Sequence, residues 1–441
     1  MNQHFSGTLT QADHKGHVPV AFDVPPGTAR IELRFSATPQ RSAGQLFDNM
    51  ISLSLFAPDG GRGQRHNNPV WDFWVEAAHA APGYLPGPVS AGTWTVVMDV
   101  FRLMGTDPVH WTLDVTCRDV APPRPAPDHP GQTAPRGPGW YRGDLHAHTS
   151  HSDGEWDIPD LVGWARSHAL DFMTVSDHNT TSSHAAAMAL ADDALLVMGG
   201  TELTTHYGHA LSLGRRAWQE WRTGPISGKT MPMIADDVIA SGALFIIAHP
   251  MSPGDPDCTG CRWDYADMRP GPAGLVEIWN GGVWSDYNEQ GLALYRSWLA
   301  AGHRLVATAG TDIHGPFDSG SAIGFNNVQA DDLTEAAILA AIKAGRNFLS
   351  SGPRLVLTGA SDEPMGGTVA AGSAVSAAWQ AQDTHLILSF HGTSGLLATQ
   401  DVTAYSSGHM VLPAAPTGFV MAELRDANGH VHAITNPIFV D

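Results

Sequence analysis

Between Phe5 and Cys117, apolar and polar positions alternate in short runs: Ile31-Glu32-Leu33-Arg34-Phe35, Ile51-Ser52-Leu53-Ser54-Leu55, Trp94-Thr95-Val96-Val97-Met98 and Trp111-Thr112-Leu113-Asp114-Val115. Successive side chains of an extended strand face opposite sides, so each run predicts a half-buried strand, and the series, punctuated by Pro and Gly, predicts a β-sandwich over residues 1–118. Residues 119–139 include Ala121-Pro122-Pro123-Arg124-Pro125-Ala126-Pro127 and read as a Pro-rich linker that cannot build a core. From 140 to 352 the texture changes. Ile158, Leu161, Val162 and Ala165 fall on one helical face with Pro159 in the first turn, and Asp332 with Glu335 opens a second helix that stops at Gly345. Strand runs at 172–175, 195–198, 244–247, 275–278 and 305–308 separate such helices, the mark of an α/β unit with parallel strands and crossover helices. Alternation returns in Leu386-Ile387-Leu388-Ser389-Phe390 and Val420-Met421-Ala422-Glu423-Leu424, which predicts a C-terminal β-sandwich over 353–441.

With 441 residues the chain exceeds one hydrophobic core, in keeping with this division. Its formal charge of −20, from 24 Lys+Arg against 44 Asp+Glu, argues against nucleic acid or an anionic membrane surface as the main partner and favours cations. No apolar run reaches the length of a membrane span, and Met1-Asn2-Gln3-His4 lacks a basic and apolar leader, so a cytoplasmic protein is expected. Its three cysteines imply no disulfide framework; Cys258-Thr259-Gly260-Cys261 reads as a loop carrying two thiols, with half a zinc knuckle or a redox pair as the alternatives. Trp71, Phe73 and Trp74 suit core packing better than a sugar-binding face.

The chemistry lies at the strand ends of the middle region. His146 and His148, in Asp144-Leu145-His146-Ala147-His148, share one face of an extended segment and can reach one cation. Asp153 follows in Ser152-Asp153-Gly154. Asp177 and His178 follow the next strand run, Glu202 the next, His209 lies just beyond, His249 follows Ile246-Ile247-Ala248, Asn280 ends another run, and Asp312 and His314 follow Thr308-Ala309-Gly310-Thr311. One buried histidine is ordinarily satisfied by a hydrogen bond; nine residues with metal-ligand chemistry at successive strand ends point instead to a site for two or three divalent cations.

In order, Gly143-Asp144-Leu145-His146-Ala147-His148-Thr149, Ser152-Asp153-Gly154, Ser176-Asp177-His178-Asn179, Gly200-Thr201-Glu202, Ala248-His249-Pro250 and Gly310-Thr311-Asp312-Ile313-His314 resemble the motifs of the polymerase and histidinol phosphatase (PHP) superfamily. Gly208-His209 and Glu277-Ile278-Trp279-Asn280-Gly281 resemble its CehA/McbA-like branch, which contains carbaryl hydrolases. The resemblance, over about residues 140–350, implies a distorted seven-stranded (β/α) barrel of PHP type between the two β-sandwiches. It implies one ion among His146, His148, Glu202 and Asp312, a second held by Glu202, His209 and His249, and a third held by Asp153, His178 and His314, with Asp153 standing where some relatives carry histidine. Asp144 and Asp177 are expected to orient ligating imidazoles.

The expected activity is metal-dependent hydrolysis of a small-molecule phosphoester, mono- or diester, by a metal-bound hydroxide with Zn, Mn or Fe. Asp177 or a ligand-adjacent histidine is the expected proton carrier, and Asn280 and Arg142 are the expected substrate contacts, with a salt-bridged structural role as the alternative for Arg142. Two alternatives stand beside it: hydrolysis of a carbamate or carboxylic ester at the same site, where Trp263, Trp279 and Trp284 would suit an aromatic leaving group or else serve as pocket walls or core, and an inactive metal-stabilised module that binds a glycan or protein. Substrate choice is expected to depend on the loop Ser252–Pro272.

Overall fold

A computed structural model of the chain describes all residues except 69, 125–130, 132 and 317–321. Part of the expected Pro-rich linker, 125–130 and 132, therefore lies outside the described residues.

Residues 1–118 form two four-stranded antiparallel sheets. Asn2–Leu9, Val109–Arg118, Arg30–Thr38 and Asp72–Glu76 make one; Gly16–Val24, Gly92–Arg102, Met50–Ala57 and Gly60–Arg65 make the other. The inward residues of each alternating run, among them Ile31, Leu33, Leu55, Trp94, Val96, Leu113 and Val115, meet in one core. Phe73 belongs to this core, and Trp71 and Trp74 pack against it. Arg30 and Arg124 cover the ring of Trp74, at 4.3 and 3.9 Å from its centroid.

The middle region is mixed α/β and dominated by sheet, with five α-helices among the described residues of the chain. Seven strands follow one another across the sheet in chain order: Gly139–Asp144, Phe172–Val175, Leu196–Thr205, Gly208–Leu213, Leu244–Ile247, Leu275–Asn280 and Val306–Gly310. Two features depart from the expected parallel strands with crossover helices. Gly208–Leu213 runs antiparallel to both neighbours, because only a tight turn after Thr205 separates it from the preceding strand. The sheet also continues beyond Gly139–Asp144 into Phe325–Ala330, Asn347–Ser350 and the C-terminal strands, all antiparallel where they join.

Val306–Gly310 nonetheless returns beside the first strand. Its extension bridges Ala147 to Ile313, with Asp312 N donating to His146 O at 2.9 Å and His148 N to Ile313 O at 3.0 Å. Asparagine side chains satisfy much of its remaining backbone. Asn326 accepts from Ala309 N and donates to Ala309 O, and Asn436 does the same for Ala307. Asn347 Nδ2 also donates to Ala307 O at 3.1 Å, and all three asparagines are wholly buried.

The helix Ile158–Ser167 buries its apolar positions 158, 161, 162 and 165, and Asp157 caps it by accepting from Asp160 N. The helix Glu335–Lys343 is capped by Thr334, which accepts from Ala337 N, rather than by Asp332. Asp332 instead accepts from the backbone of Arg136, Gly137 and Leu333, fixing the chain that leads into the middle region.

The C-terminal segment has one three-stranded sheet, Arg354–Gly359, Val375–Gln380 and Ser407–Leu412. Its other layer is not a free-standing sheet: Val431–Thr435 pairs with Asn347–Ser350, so this layer extends the middle sheet. Cys258 and Cys261, expected as two thiols, are joined in a disulfide; its partners are three residues apart, and it links no two elements.

Replacing Asn326 by Ala strands a buried N–H and C=O of Ala309, which costs on the order of 3 kcal/mol. Denaturant unfolding of Asn326→Ala should show that loss. Asn327→Ala, on the half-exposed neighbouring position, should change stability by less than about 0.5 kcal/mol.

Candidate metal centre

The site is assembled around Glu202, a fully buried carboxylate inside the strand Leu196–Thr205. Its Oε2 lies 3.1 Å from His146 Nε2, 3.3 Å from His148 Nε2 and 3.0 Å from His178 Nδ1. Its Oε1 lies 2.9 Å from His209 Nδ1 and 3.0 Å from His249 Nε2. Each imidazole comes from a different part of the sheet. His146 and His148 extend from the first strand and His178 from the second, while His249 stands two residues past Leu244–Ile247. His209 lies at the start of the reversed strand, opposite Thr204 in register, so antiparallel pairing delivers its first residues to the end where the parallel neighbours deliver their last.

Asp312 closes the far side, with Oδ1 2.9 Å from His148 Nε2 and 3.2 Å from His146 Nε2. Asp153 Oδ1 lies 3.3 Å from both His178 Nε2 and His314 Nε2. All nine expected ligands thus stand in one cluster, and atoms of eight of them fall into three groups, each within 4.8 Å: His146, His148, Glu202 and Asp312; His148, Asp153, His178 and His314; and His178, Glu202 and His209. The grouping departs from the expected one in two respects. His148 and His178 are each shared between groups, and His249 approaches Glu202 and Asp312 without completing a group of its own.

The residues fit divalent cations on grounds beyond proximity. His146 Nε2, both ring nitrogens of His148, Asp153 Oδ1, Glu202 Oε2 and His209 Nε2 are buried without a hydrogen-bond partner, although charged atoms lie within 3.3 Å of most of them. Divalent cations would satisfy such atoms. His249 Nδ1 lies 3.2 Å from Cys261 O, which can only accept, so the proton belongs on Nδ1 and the lone pair of Nε2 faces the Glu202 carboxylate. A proton or a metal ion must lie between them.

Electrostatics point the same way. Burial opposes charge on Glu202, yet His146, His178 and His209 hold its carboxyl well below the usual range. Burial likewise opposes a charged His146, and Asp312, Glu277 and Glu202 override it, holding the imidazole well above its usual value. Against burial, Asp153 lifts His314 to about 9. Burial takes His209 down to about 4, so it is a neutral imidazole with an unpartnered nitrogen, the form that ligates metal.

Glu277 was not foreseen as a site residue. Its Oε2 sits 2.9 Å from His146 Nδ1 and fixes which nitrogen of that ring faces Glu202 and Asp312. The available signal was a carboxylate in an otherwise apolar strand run, Leu275-Val276-Glu277-Ile278. Asn280 Nδ2 donates to Glu277 Oε1 at 2.6 Å and to Asp312 Oδ2 at 3.2 Å, and its backbone exchanges two hydrogen bonds with Asn288 on the helix Asp286–Ala300. Asp144 and Asp177 hold backbone turns and not imidazoles. Asp144 accepts from Thr311 N, Thr311 Oγ1 and His146 N, and burial raises its pKa to about 6. Asp177 accepts from Thr149 N, Thr149 Oγ1 and Ser152 Oγ. Arg142 lies apart from the cluster: its guanidinium donates to His168 O at 2.9 Å and stacks 4.3 Å from the Phe325 ring centroid. Trp263, Trp279 and Trp284 are buried in the hydrophobic core.

No protein-family model matches the chain, and no curated protein matches it. Solved structures similar to it include a two-domain protein containing a predicted PHP-like metal-dependent phosphoesterase from Bacteroides vulgatus, 15% identical, covering 72% of this chain and 100% of that one at a TM-score of 0.41. A candidate metal-dependent phosphoesterase from Bifidobacterium adolescentis is 18% identical and covers 39% of this chain and 87% of its own, with a TM-score of 0.29. An amidohydrolase from Chromobacterium violaceum, with bound sulfate and no metal, is 17% identical and covers 40% and 89%, with a TM-score of 0.29. At this degree of similarity the functional reading rests on the residues of the chain itself.

Cations entering the cluster displace protons from His146, His178, His249 and His314, whose pKa values the carboxylates raise in the metal-free protein. Affinity for Zn or Mn should therefore climb from neutral pH to about 9 with proton release, seen by calorimetry in buffers of different ionisation enthalpy. A pH-independent affinity would contradict this. Glu277→Gln should weaken binding about 10- to 100-fold, the usual cost of losing a carboxylate behind a ligating imidazole.

Proposed function

We propose that the protein is a metal-dependent hydrolase of phosphoesters, mono- or diester, acting at a di- or trinuclear centre of Zn, Mn or Fe. On this reading it belongs with the PHP superfamily, in the CehA/McbA-like branch, on a distorted seven-stranded β/α barrel. The convergence of nine ligand-type residues, five of which (His146, His148, Asp153, Glu202 and His209) bury nitrogen or oxygen atoms without a hydrogen-bond partner, carries the proposal.

Divalent ions, when bound there, lower the pKa of water and offset negative charge on substrate oxygens. The rest is the work of the chain. His146, His148, Asp153, His178, Glu202, His209, His249, Asp312 and His314 hold the ions, with Glu202 offering one oxygen to each side of the cluster. Glu277 sets the tautomer of His146, and Asn280 holds Glu277 and Asp312 in place. Both Asp177 oxygens are engaged by Thr149 and Ser152, so its part is to hold the turn before Asp153 and not to carry protons. Asn280 is likewise assigned to positioning, and Arg142 has no part in the chemistry. Substrate enters where the cluster remains accessible: the side chains of Asp312 and His314 keep 23% and 32% of their exposure, against none for His146, His148 and Glu202.

Phosphorus is the preferred electrophile because several clustered cations suit a substrate that brings its own negative charge, and on a chain of charge −20 they supply the attraction. Protein supplied with Mn, Zn or Fe should turn over aryl phosphate or bis-aryl phosphate, and His146→Ala should lower that rate by at least about a hundredfold. Turnover of an aryl carbamate with neither phosphate cleaved would move the reaction to carbon. Loss of all turnover with retained binding of a glycan or protein would leave a metal-stabilised binding module.

A further inference from the structure

The N-terminal sandwich reaches into the metal centre through one short segment. At the end of the strand Gly60–Arg65, Arg65 directs two guanidinium donors onto Ser150 O, Nε at 3.1 Å and Nη2 at 2.8 Å. Asn68 Nδ2 donates to Ser152 O at 2.9 Å. These two carbonyls lie in the turn Thr149–Gly154 that presents Asp153, and Asp177 grips the same turn from within. One position earlier, Gln64 accepts from Asn179 Nδ2 at 2.9 Å, next to His178. The ring of His66 packs 4.7 Å from that of His178.

The segment is itself firmly held. Gln64 Nε2 donates to Asp99, a wholly buried carboxylate that also receives Ser54 Oγ and stands 2.6 Å from His17 Nδ1. Ser52 Oγ lies 3.2 Å from His66 Nδ1. A second contact pins the loop after His178, where Thr180 Oγ1 donates to Gly83 O at 2.7 Å and Gly83 N donates to Ser182 Oγ at 3.0 Å. Every direct contact of this clamp falls on the two loops that carry Asp153 and His178. By contrast, Asp144, Thr311, Glu277 and Asn280 of the middle region itself brace His146 and Asp312.

We propose that the N-terminal sandwich completes the metal centre, with Arg65 and Asn68 as positioning residues that set the affinity of the subsite formed by His148, Asp153, His178 and His314. The proposal rests on the metal-centre reading above. It assigns the sandwich a role in metal occupancy, so the outer ion is held by two domains while the inner site of His146, His148, Glu202 and Asp312 is held by one. Arg65 matters for its planar fork, which places two donors on one carbonyl; lysine offers a single point of contact.

The full chain, stripped by chelator and titrated with Zn alone, tests this by calorimetry and by elemental analysis of zinc per chain. Arg65→Met and Asn68→Ala should weaken the weakest binding step about tenfold or more, or lower the zinc content by one ion, as Asp153→Asn does, and leave the tightest step within about twofold. Arg65→Lys should recover part of the loss. Equal weakening of all steps, or of none, overturns the clamp. Zinc-free wild-type protein would instead remove the metal reading and the clamp with it. If Arg65→Met fails to fold, Asn68→Ala decides by the same criteria.

Discussion

A carboxylate with no access to water, surrounded by five imidazoles within 3.3 Å, is the constraint on which the middle of this molecule depends. Burying Glu202 as an anion costs several kcal/mol unless positive charge comes with it. Imidazolium can supply that charge, but each protonated ring is a buried ion in its own right, and burial opposes the charge on His146, His178, His209 and His249. A small number of divalent cations solves both problems. They give the carboxylates the charge they need, and they let the imidazoles remain neutral donors of lone pairs.

The architecture serves this convergence. Parallel strands deliver their C-terminal ends to one side, and the reversed strand Gly208–Leu213 contributes from its beginning, which is why His209 follows so closely on Glu202 in sequence. The chain bends sharply at the site to turn side chains inward: Asn179, His249 and Asp312 have φ of 56°, 27° and 52°, a region that costs non-glycine residues on the order of 1–3 kcal/mol each. Gly310 permits the closest approach, since a Cβ there would lie 2.4 Å from His146 Cβ and 2.7 Å from Glu277 Oε2. Backbone strain and a bare glycine are both consistent with a fold that holds His146 and Asp312 against one another more firmly than local propensity would.

The sequence made the clustered residues legible because their signal is local. His146 and His148 share a face by the two-residue period of an extended chain, and a polar residue directly after an apolar strand run is visible without knowing where the strand lies in space. Glu277 was harder to read because it sits inside a run whose apolar neighbours advertise only burial. The roles given to Asp144, Asp177 and Arg142 from their places beside ligands were inferences from adjacency along the chain, whereas hydrogen-bond partners are set by neighbours across the sheet: Thr311 for Asp144, Thr149 and Ser152 for Asp177, His168 for Arg142. Parallel pairing throughout the middle sheet failed for a related reason. Alternating strands and helices predict parallel pairing only where a helix intervenes, and none does between Thr205 and Gly208.

The strands of residues 1–118 were legible and their reach was not. Alternation and proline mark off residues 1–118 clearly, but nothing in period-two patterning distinguishes a sandwich that stands apart from one whose loops grip a neighbour. Arg65 and Ser150 are 85 positions apart, and each reads by itself as an ordinary polar residue at the edge of an element. Their pairing matters because of what the turn carries. The turn Thr149–Gly154 brings a carboxylate into the cluster but belongs to no strand; within the middle region it is held by Asp177, by Ser150 N donating to Trp156 O at 2.8 Å and by His151 Nδ1 2.8 Å from Ser182 Oγ. A ligand on such a turn is only as well placed as the turn's outer support, and here that support comes from a different domain.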